Sequence, residues 1–283
     1  AGLRATGSFV ALSDALPGLG KEFMPALDEG SFLWMPMMMP HASIGEALDV
    51  LQKQDIAIGR IPEVESAVGK LGRAETPLDP APVSMIETIV NYRSEYLMDV
   101  DGRRLNFAFD GSATDFFRDE AGEPVPSMDG HPYKVRGRYA RDAAGLLMPD
   151  ANGRPFRLWR PALDPALNPG RAAWYGVRSA DDIWAEISRA GQMPGSTSAP
   201  KLQPIAARII MLQSGMRAPL GIKVKGADLS SIEAVGLQLE RLLKEVPSVM
   251  PSTVNADRII GKPYLEIHID REAIARYGIA LQQ

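Results

Sequence analysis

Methionine is the residue type with the most unusual spacing in this chain. Four methionines and two prolines fall within the nine residues FLWMPMMMP, positions 32–40. Thioether sulfur is a soft donor that suits ions such as Cu(I), although most methionines fill gaps in hydrophobic cores. Because the chain has no cysteine, a site for a soft metal ion would have to use methionine or histidine. An extended backbone alternates its side chains, so at most half of this run can face one site.

Other chemistries find little support in the sequence. It contains no G-x-S-x-G, no P-loop and no H-E-x-x-H motif. The three histidines, His41, His131 and His268, are far apart, and carboxylate pairs such as Asp181 with Asp182 are typical of a solvated surface. We therefore predict that the chain is not an enzyme and holds no cofactor.

Composition indicates a globular protein without a nucleic-acid surface. Of the 283 residues, 45% are hydrophobic and 23% charged, and the formal net charge is -4. Nucleic-acid binding would require a basic excess. No apolar run reaches the ~18 to 20 residues that cross a bilayer. The last residues, REAIARYGIALQQ, stop inside a predicted helix, so we expect an excised piece of a longer protein.

Hydrophobic periodicity predicts a strand followed by a helix near the start. The run from Phe32 to Met39 is an expected strand, and its prolines favour an edge position. A capping box formed by Ser43 and Glu46 then begins a helix of about four turns. The apolar stripe of this helix consists of Ile44, Ala47, Leu48, Leu51 and Ile58.

This order of elements occurs twice along the chain. The first helix leads into Ile61-Pro62-Glu63-Val64, a strand through Val68 and a strand over residues 85–93. One face of that last strand is formed by Ile86, Thr88, Val90 and Tyr92. In the second copy, a strand over 220–224 precedes a helix capped by Asp228. After this helix come Val246-Pro247-Ser248-Val249, a predicted strand, and then the strand YLEIHID. The apolar stripe of the helix is Ile232, Val235, Leu239, Leu242, Leu243 and Val246. We interpret the duplication as two split βαβ units of ferredoxin-like type.

The expected fold class is therefore α+β, with one complete ferredoxin-like subdomain, one truncated subdomain and a loop-rich insertion. A helix capped by Ser179, with the stripe Ile183, Trp184 and Ile187, and a strand near Ile205 to Ile210 complete the first unit. The predicted boundaries are 29–95 and 179–217 for the first unit, 96–178 for the insertion and 218–283 for the second unit. The insertion is rich in Gly, Pro, Asp and aromatic residues and contains two Arg-Asp-x-Ala-Gly segments, which favours packed hairpins.

Longer motifs carry a family resemblance. They are FMPALDEGSFLWMP, IPEVESAVGKLGRAET, DPAPVSMIET, PIAARIIMLQSGMRAPLGIKV and IDREAIARYGI. Together they resemble the inner-membrane pump subunit of heavy-metal efflux systems in the resistance-nodulation-division superfamily, over residues 21–95 and 179–283. The resemblance implies a periplasmic loop of an inner-membrane protein, with 1–28 as a connector after a membrane helix. The two units would be its porter subdomains PC1 and PC2, and 96–178 has no implied role.

The resemblance also implies a metal site. In copper- and silver-exporting members three methionines bind the ion between these subdomains, and the matching residues here are Met35, Met85 and Met211. All three are methionine, which favours Cu(I) or Ag(I) as the transported ion. Charged residues with an implied role in ion access and gating are Glu29, Asp79, Glu87, Arg208 and Arg217.

The implied complete pump is a homotrimer that is driven by protons and works with a periplasmic adaptor protein and an outer-membrane channel. Three alternatives remain open. A divalent ion (Zn, Co or Cd) could be held by His41, Glu29 and Asp79, with the methionines as lining. The chain could be an assembly module whose insertion, 96–178, binds an adaptor or a neighbouring subunit without metal. It could also be a free-standing metal chaperone.

Overall fold

A computed structural model describes residues 28–39, 42–72, 84–214, 221–249, 251, 254–256 and 270–278. The elements in chain order are β1 (Ser31–Trp34), α1 (Ile44–Gly59), β2 (Val64–Leu71), β3 (Ile86–Tyr92), β4 (Asn106–Phe107), β5 (Phe109–Phe116), β6 (Lys134–Tyr139), β7 (Arg154–Pro155), α2 (Ala180–Ala190), α3 (Pro204–Ser214), α4 (Leu229–Lys244) and α5 (Arg271–Arg276). The fold class is α+β, as predicted. Within these residues, no helix combines the length and hydropathy needed to cross a bilayer.

A three-stranded antiparallel sheet organises the first unit, with β3 between β1 and β2. The predicted face of β3 is confirmed, since the side chains buried on it are Ile86, Thr88, Val90 and Tyr92. Ile89, which points to the other side, is 45% exposed. Alternation along a strand therefore separates a core face from a second face, and the second face carries the candidate site described below.

Helices α1 and α2 cover the core face of the sheet. The buried cluster that they share with the strands is Phe32, Trp34, Ile58, Ile61, Val64, Val90, Tyr92, Trp159, Val177, Ile183, Ile187 and Ala199. Trp184 of α2 packs against this cluster, with its ring centroid 5.2 Å from that of Phe32. The stripe predicted for α2 thus packs where expected, and burial of a dozen largely apolar side chains stabilises the unit.

Both predicted helix caps of the first unit are present. The Ser43 hydroxyl accepts a hydrogen bond from the Glu46 amide at 3.1 Å. Ser179 and Asp182 form a full capping box at the start of α2. These bonds satisfy backbone amides that the first helical turn leaves without partners.

The predicted stripe of α1 is partly wrong. Its buried residues are Ala47, Val50, Leu51, Gln54 and Ile58. Ile44 and Leu48 are 66% and 45% exposed instead. At 100° per residue these two lie roughly 60° and 100° around the helix from Ala47, so they fall on the flank of the buried stripe.

The prediction of a strand near Ile205 to Ile210 is also wrong, because this segment lies in helix α3. The buried pair is Ala207 and Met211, which are four residues apart and therefore share one face of a helix. Pro204 occupies the first helical position, where its missing N–H costs nothing. The strand-like pairing occurs just before the helix, between Leu33 and Leu202.

The second unit is confirmed only in part. Asp228 caps α4 as predicted, accepting from the Ser231 amide at 2.8 Å. Residues 221–226 form no strand, contrary to prediction, and Ile222 is 62% exposed. No side chain of α4 is buried. The predicted stripe of α4 is therefore not a buried one in the described part of the chain. The predicted strand YLEIHID lies outside the described residues except for Asp270.

The internal repeat is visible in the turn that follows each long helix. After α1, the amide of Val64 donates to the carbonyl of Ile61 at 2.9 Å. After α4, the amide of Val249 donates to the carbonyl of Val246 at 3.0 Å. The (Ile/Val)-Pro-x-Val motif therefore forms the same turn in both units.

The insertion consists of short hairpins whose turns are all of the same kind. In each turn a glycine amide donates to the carbonyl three residues earlier, at 3.0–3.1 Å, in the pairs Asp99 and Gly102, Asp119 and Gly122, Ser127 and Gly130, Asp142 and Gly145, and Asp150 and Gly153. Both Arg-Asp-x-Ala-Gly segments are members of this series. Four of these glycines have φ between 76° and 97°, a conformation that strains other residues. The predicted packed hairpins are confirmed, with a small core of Phe117, Tyr133 and Leu163.

A buried ion pair fastens the insertion to the first unit. Glu63, which is fully buried after α1, accepts from Arg160 Nε at 2.9 Å and from an Arg160 terminal nitrogen at 2.7 Å. The backbone amide of Arg160 donates to the same carboxylate at 2.9 Å. The guanidinium also lies 4.9 Å from the ring centroid of Trp174. Such a pair is costly to break on one side only, because a buried charge then has no partner.

We predict that Arg160→Met lowers the free energy of unfolding by about 3–5 kcal/mol, because it leaves the Glu63 carboxylate buried without its cation. Urea denaturation followed by circular dichroism measures the change. The control is Asp49→Asn in α1, where the exposed pair with Lys53 should contribute less than ~1 kcal/mol. Equal losses for the two variants would contradict the fastening role.

Candidate functional site

The three methionines implied as metal ligands lie in one buried cluster. Met35 follows β1, Met85 precedes β3, and Met211 lies in the third turn of α3. Their exposed fractions are 5%, 0% and 7%. The other buried members of the cluster are Leu33, Leu202 and Ala207. Met35 and Met85 are 50 positions apart along the chain, and Met85 and Met211 are 126 positions apart. The fold nevertheless brings their thioethers into the same small region.

Strand pairing positions the first two methionines. Beyond β1, the chain continues to pair with the residues before β3: the Ile86 amide donates to the Pro36 carbonyl at 3.3 Å, and the Met38 amide donates to the Ser84 carbonyl at 2.7 Å. The register that joins Trp34 to Thr88 continues to the bridge between Met37 and Met85. In this register Met35 stands opposite Glu87.

Helix α3 lies on the second face of the sheet and supplies the third methionine. It contacts β1, and its residues Ala207 and Met211 share the methionine cluster with Leu33. The start of α3 is held by Glu29, whose carboxylate accepts from the amides of Ile205 at 2.7 Å and Ala206 at 3.0 Å. Glu29 therefore acts as a helix cap, a role that its sequence position did not reveal.

A cleft of about 470 Å³ adjoins the methionine cluster. Its lining comprises Leu33, Val68, Gly69, Lys70, Glu87, Ile89, Pro204, Ile205, Arg208 and Ile209. Leu33 belongs to both the cluster and the cleft. The cleft is mostly apolar, with one carboxylate and two cationic side chains.

Glu87 is the charged centre of this cleft. It is 4% exposed, and its Oε2 lies 2.9 Å from Lys70 Nζ and 3.9 Å from an Arg208 terminal nitrogen. Its Oε1 has no hydrogen-bond partner within the described part of the chain. A buried carboxylate with an unsatisfied oxygen is costly, so this atom is ready to accept a donor or a cation.

The core side of the same strands is closely packed behind the site. Thr88 donates to Asp55 of α1 at 2.8 Å, and the Gly69 amide donates to the same carboxylate at 2.9 Å. A β-carbon on Gly69 would lie 2.3 Å from Leu51 Cδ1, so only glycine lets α1 approach β2 this closely. Burial raises the pKa of Asp55, although its two hydrogen bonds oppose that shift.

The remaining implied residues divide into two groups. Glu29, Glu87 and Arg208 are placed at or beside the cleft, whereas Asp79 and Arg217 lie outside the described residues. His41, proposed for a divalent ion, also lies outside them. Among the residues that the structure does describe, no three His, Cys, Asp or Glu side chains are grouped so as to hold a metal ion.

Sequence reasoning missed Lys70 and the packing of Met37. Lys70 lies on β2, two residues after Val68. Its position in the cleft is revealed only by its pairing with Glu87 in the sheet. Met37 packs against the cluster of the three implied methionines. Its spacing of two from Met35 was a usable signal, because such residues share a face of an extended chain.

Comparison with known proteins finds a matching family and similar relatives. Residues 170–283 match the AcrB/AcrD/AcrF family. The chain is 30% identical over 266 residues to SilA of Salmonella typhimurium, named as a cation efflux system protein, and 28% identical over 263 residues to the cation efflux system protein CusA of Escherichia coli K12. These alignments cover 94% and 93% of this chain but 18% of each relative, so the chain spans about a fifth of their length.

Two further matches are less similar in sequence. The nickel and cobalt resistance protein CnrA of Cupriavidus metallidurans is 21% identical over 266 residues. A crystal structure of a heavy metal efflux pump matches 98% of this chain and 22% of its own, with a TM-score of 0.50 and 20% identity. That structural likeness supports the fold.

We predict that Glu29→Ala lowers the free energy of unfolding by ~1 kcal/mol, because the first amides of α3 lose their acceptor. Thermal and urea unfolding of the 283-residue chain measure this loss. The matched variant Glu29→Gln keeps a side-chain oxygen as acceptor and should lose less. If alanine and glutamine behave alike and both match the parent, Glu29 does not cap α3.

Proposed function

Because this chain contains an AcrB/AcrD/AcrF family domain and is similar along nearly its whole length to heavy-metal efflux pumps, we propose that it is the substrate-binding periplasmic part of a proton-driven Cu(I)/Ag(I) exporter. The observation that carries the proposal is the single buried cluster containing Met35, Met85 and Met211. In this proposal the ion is the transported substrate, and the chain performs no catalytic turnover.

The donor set supports a soft monovalent ion. Thioethers are neutral and polarisable, and they suit Cu(I) and Ag(I) at low coordination number. The cluster is otherwise lined by Leu33, Leu202 and Ala207, so a bound ion would be largely dehydrated. The Born cost of dehydration rises with the square of the charge, so a divalent ion would pay about four times as much here. Zn(II) and Co(II) would also lack the nitrogen and oxygen donors that they favour.

Charge in the adjoining cleft supports a route for the ion. Glu87, which stands opposite Met35 in the strand pairing, supplies a carboxylate. Its Oε1 has no hydrogen-bond partner within the described residues. Lys70 and Arg208 neutralise this carboxylate in the present arrangement. Separation of these pairs as the cleft opens would expose a cation-attracting surface, and their return would close it.

The family similarity supports extending the proposal to the rest of the transport cycle. We propose that the complete protein is a trimer whose membrane part passes protons and that it delivers the ion through an adaptor protein to an outer-membrane channel. The divalent alternative gains no support from the described residues, since Glu29 caps α3 and no cluster of three hard donors occurs among them.

Ag(I) titration of the 283-residue chain tests the site. Replacing Met35, Met85 and Met211 together by leucine keeps the side-chain volume but removes the three donors. We expect Ag(I) affinity to fall at least ~100-fold, which corresponds to about 2.7 kcal/mol. Because a thioether has no proton to lose, the affinity of the parent should stay constant between about pH 6 and 8.

The matched control is a triple leucine variant of three exposed insertion methionines, Met98, Met128 and Met148, which are 37%, 42% and 46% exposed. This control should bind Ag(I) as the parent does. Equal binding by the parent and the Met35/Met85/Met211 variant would show that the cluster is not the site. Zn(II) that competes with Ag(I) at equal concentration would contradict the proposed specificity.

The cleft charge gives a kinetic prediction. Glu87→Gln removes the carboxylate that lies beside Lys70 and Arg208, so the cleft becomes more positive and repels an arriving cation. We expect the Ag(I) association rate to fall about threefold to tenfold at low salt, with a smaller change at high salt. Stopped-flow mixing measures the rate, and Asp49→Asn, an exposed acid on α1, is the control. An unchanged rate at low salt would remove Glu87 from the access route.

A further inference from the structure

We propose that Met37 is a fourth thioether ligand of the same site, and that it is the one through which the ion enters. This inference rests on the proposed function, since it concerns the ion bound by Met35, Met85 and Met211. It goes beyond that function because Met37 is not among the three methionines that the family resemblance implies as ligands. Three features of the structure support it.

The first feature is the cross-strand register. Met37 is the residue directly opposite Met85 in the antiparallel pairing. The flanking bonds, from Ile86 N to Pro36 O and from Met38 N to Ser84 O, identify Met37 and Met85 as a non-hydrogen-bonded pair. Cα atoms in such a pair are about 4.5 Å apart and the side chains lie on the same face. Met35 stands one step further along this face, opposite Glu87, so Met37 is the closer cross-strand neighbour of Met85.

The second feature is the alternation of the run. Leu33, Met35 and Met37 all join the methionine cluster, whereas Met38 joins a different cluster with Ala47, Val50, Leu51 and Ile86. Successive methionines therefore serve opposite faces of the sheet. Met38 is 3% exposed and is an ordinary core side chain.

The third feature is the placement of Met37 at the edge of the cluster. Met35, Met85 and Met211 are buried, and Met37 is partly buried. Its backbone is held on the side away from Met85: the Met37 amide donates to Thr197 Oγ1 at 3.0 Å, and the Thr197 amide donates to the Met37 carbonyl at 2.8 Å. A fixed backbone with a flexible side chain at the rim is suited to take an ion from solvent and pass it inward.

Four thioethers would also complete the coordination of the ion. Cu(I) and Ag(I) accept four soft donors as well as three, and a donor at the rim can leave without emptying the site. Loss of Met37 should then weaken binding less than loss of the three buried ligands. It should slow the exchange of the ion more than it lowers affinity.

The test uses the 283-residue chain with Ag(I) as the probe and carbon-13 labelled methionine methyl groups. Single leucine variants assign the methyl resonances. We expect the Met37 methyl to shift on addition of one equivalent of Ag(I), together with those of Met35, Met85 and Met211, while the Met38 and Met148 methyls stay in place. Met37→Leu should weaken Ag(I) binding about threefold to tenfold and slow Ag(I) association, whereas Met38→Leu, its matched neighbour, should do neither.

The outcomes separate the two proposals. If the Met37 methyl stays in place and Met37→Leu binds and exchanges Ag(I) as the parent does, while the Met35/Met85/Met211 variant loses binding, the fourth ligand is wrong and the proposed function stands. If no methyl of the four moves, both proposals are wrong. The methyl spectrum of the parent decides the matter even where Met37→Leu loses its fold, which circular dichroism would reveal.

Discussion

Antiparallel pairing between β1 and β3 is the constraint on which the candidate site depends. It extends past β1 through Pro36 to Met38, so that Met37 faces Met85 and Met35 faces Glu87. A slip of one residue would turn every one of these side chains to the opposite face. The register is secured from the core side, where Phe32, Trp34 and Val90 are buried with α1 and α2. Packing of one face thereby determines which side chains the other face presents.

The position of α3 follows from the same sheet. The bridge between Leu33 and Leu202 brings the chain to the second face, and the carboxylate of Glu29, just before β1, caps the helix that begins at Pro204. Met211 and Arg208 are therefore tied to the strand that carries Met35. Without metal this region is an ordinary apolar core, because methionine packs as a hydrophobic residue. The same side chains can thus stabilise the fold and offer soft donors, which a cluster of carboxylates could not do without mutual repulsion.

The insertion shows how a polar, turn-rich segment becomes ordered. Its repeated turns use aspartate or serine to start and glycine to finish, and each hairpin buries little apolar surface alone. Order comes from the aromatic cluster around Tyr133 and from the attachment of Arg160 to Glu63. Because Glu63 belongs to the turn after α1, the insertion and the sheet share a buried charge pair. The insertion is therefore held against the first unit by that pair as well as by its covalent ends.

Local signals in the sequence determined the elements whose hydrogen bonds are local. The caps at Ser43, Ser179 and Asp228 could be predicted because neighbouring residues supply both partners. The buried face of β3 could be predicted because apolar side chains alternate along that one strand. Ile205 to Ile210 could not be assigned in this way, since a short apolar run fits a strand or a helix until the surface that it covers is known. The three implied methionines came from family resemblance, whereas their gathering, the pairing of Met37 with Met85 and the contact of Lys70 with Glu87 were decided by tertiary structure. Those contacts depend on the register between strands and on which face α3 covers, and both are set by packing of the whole sheet.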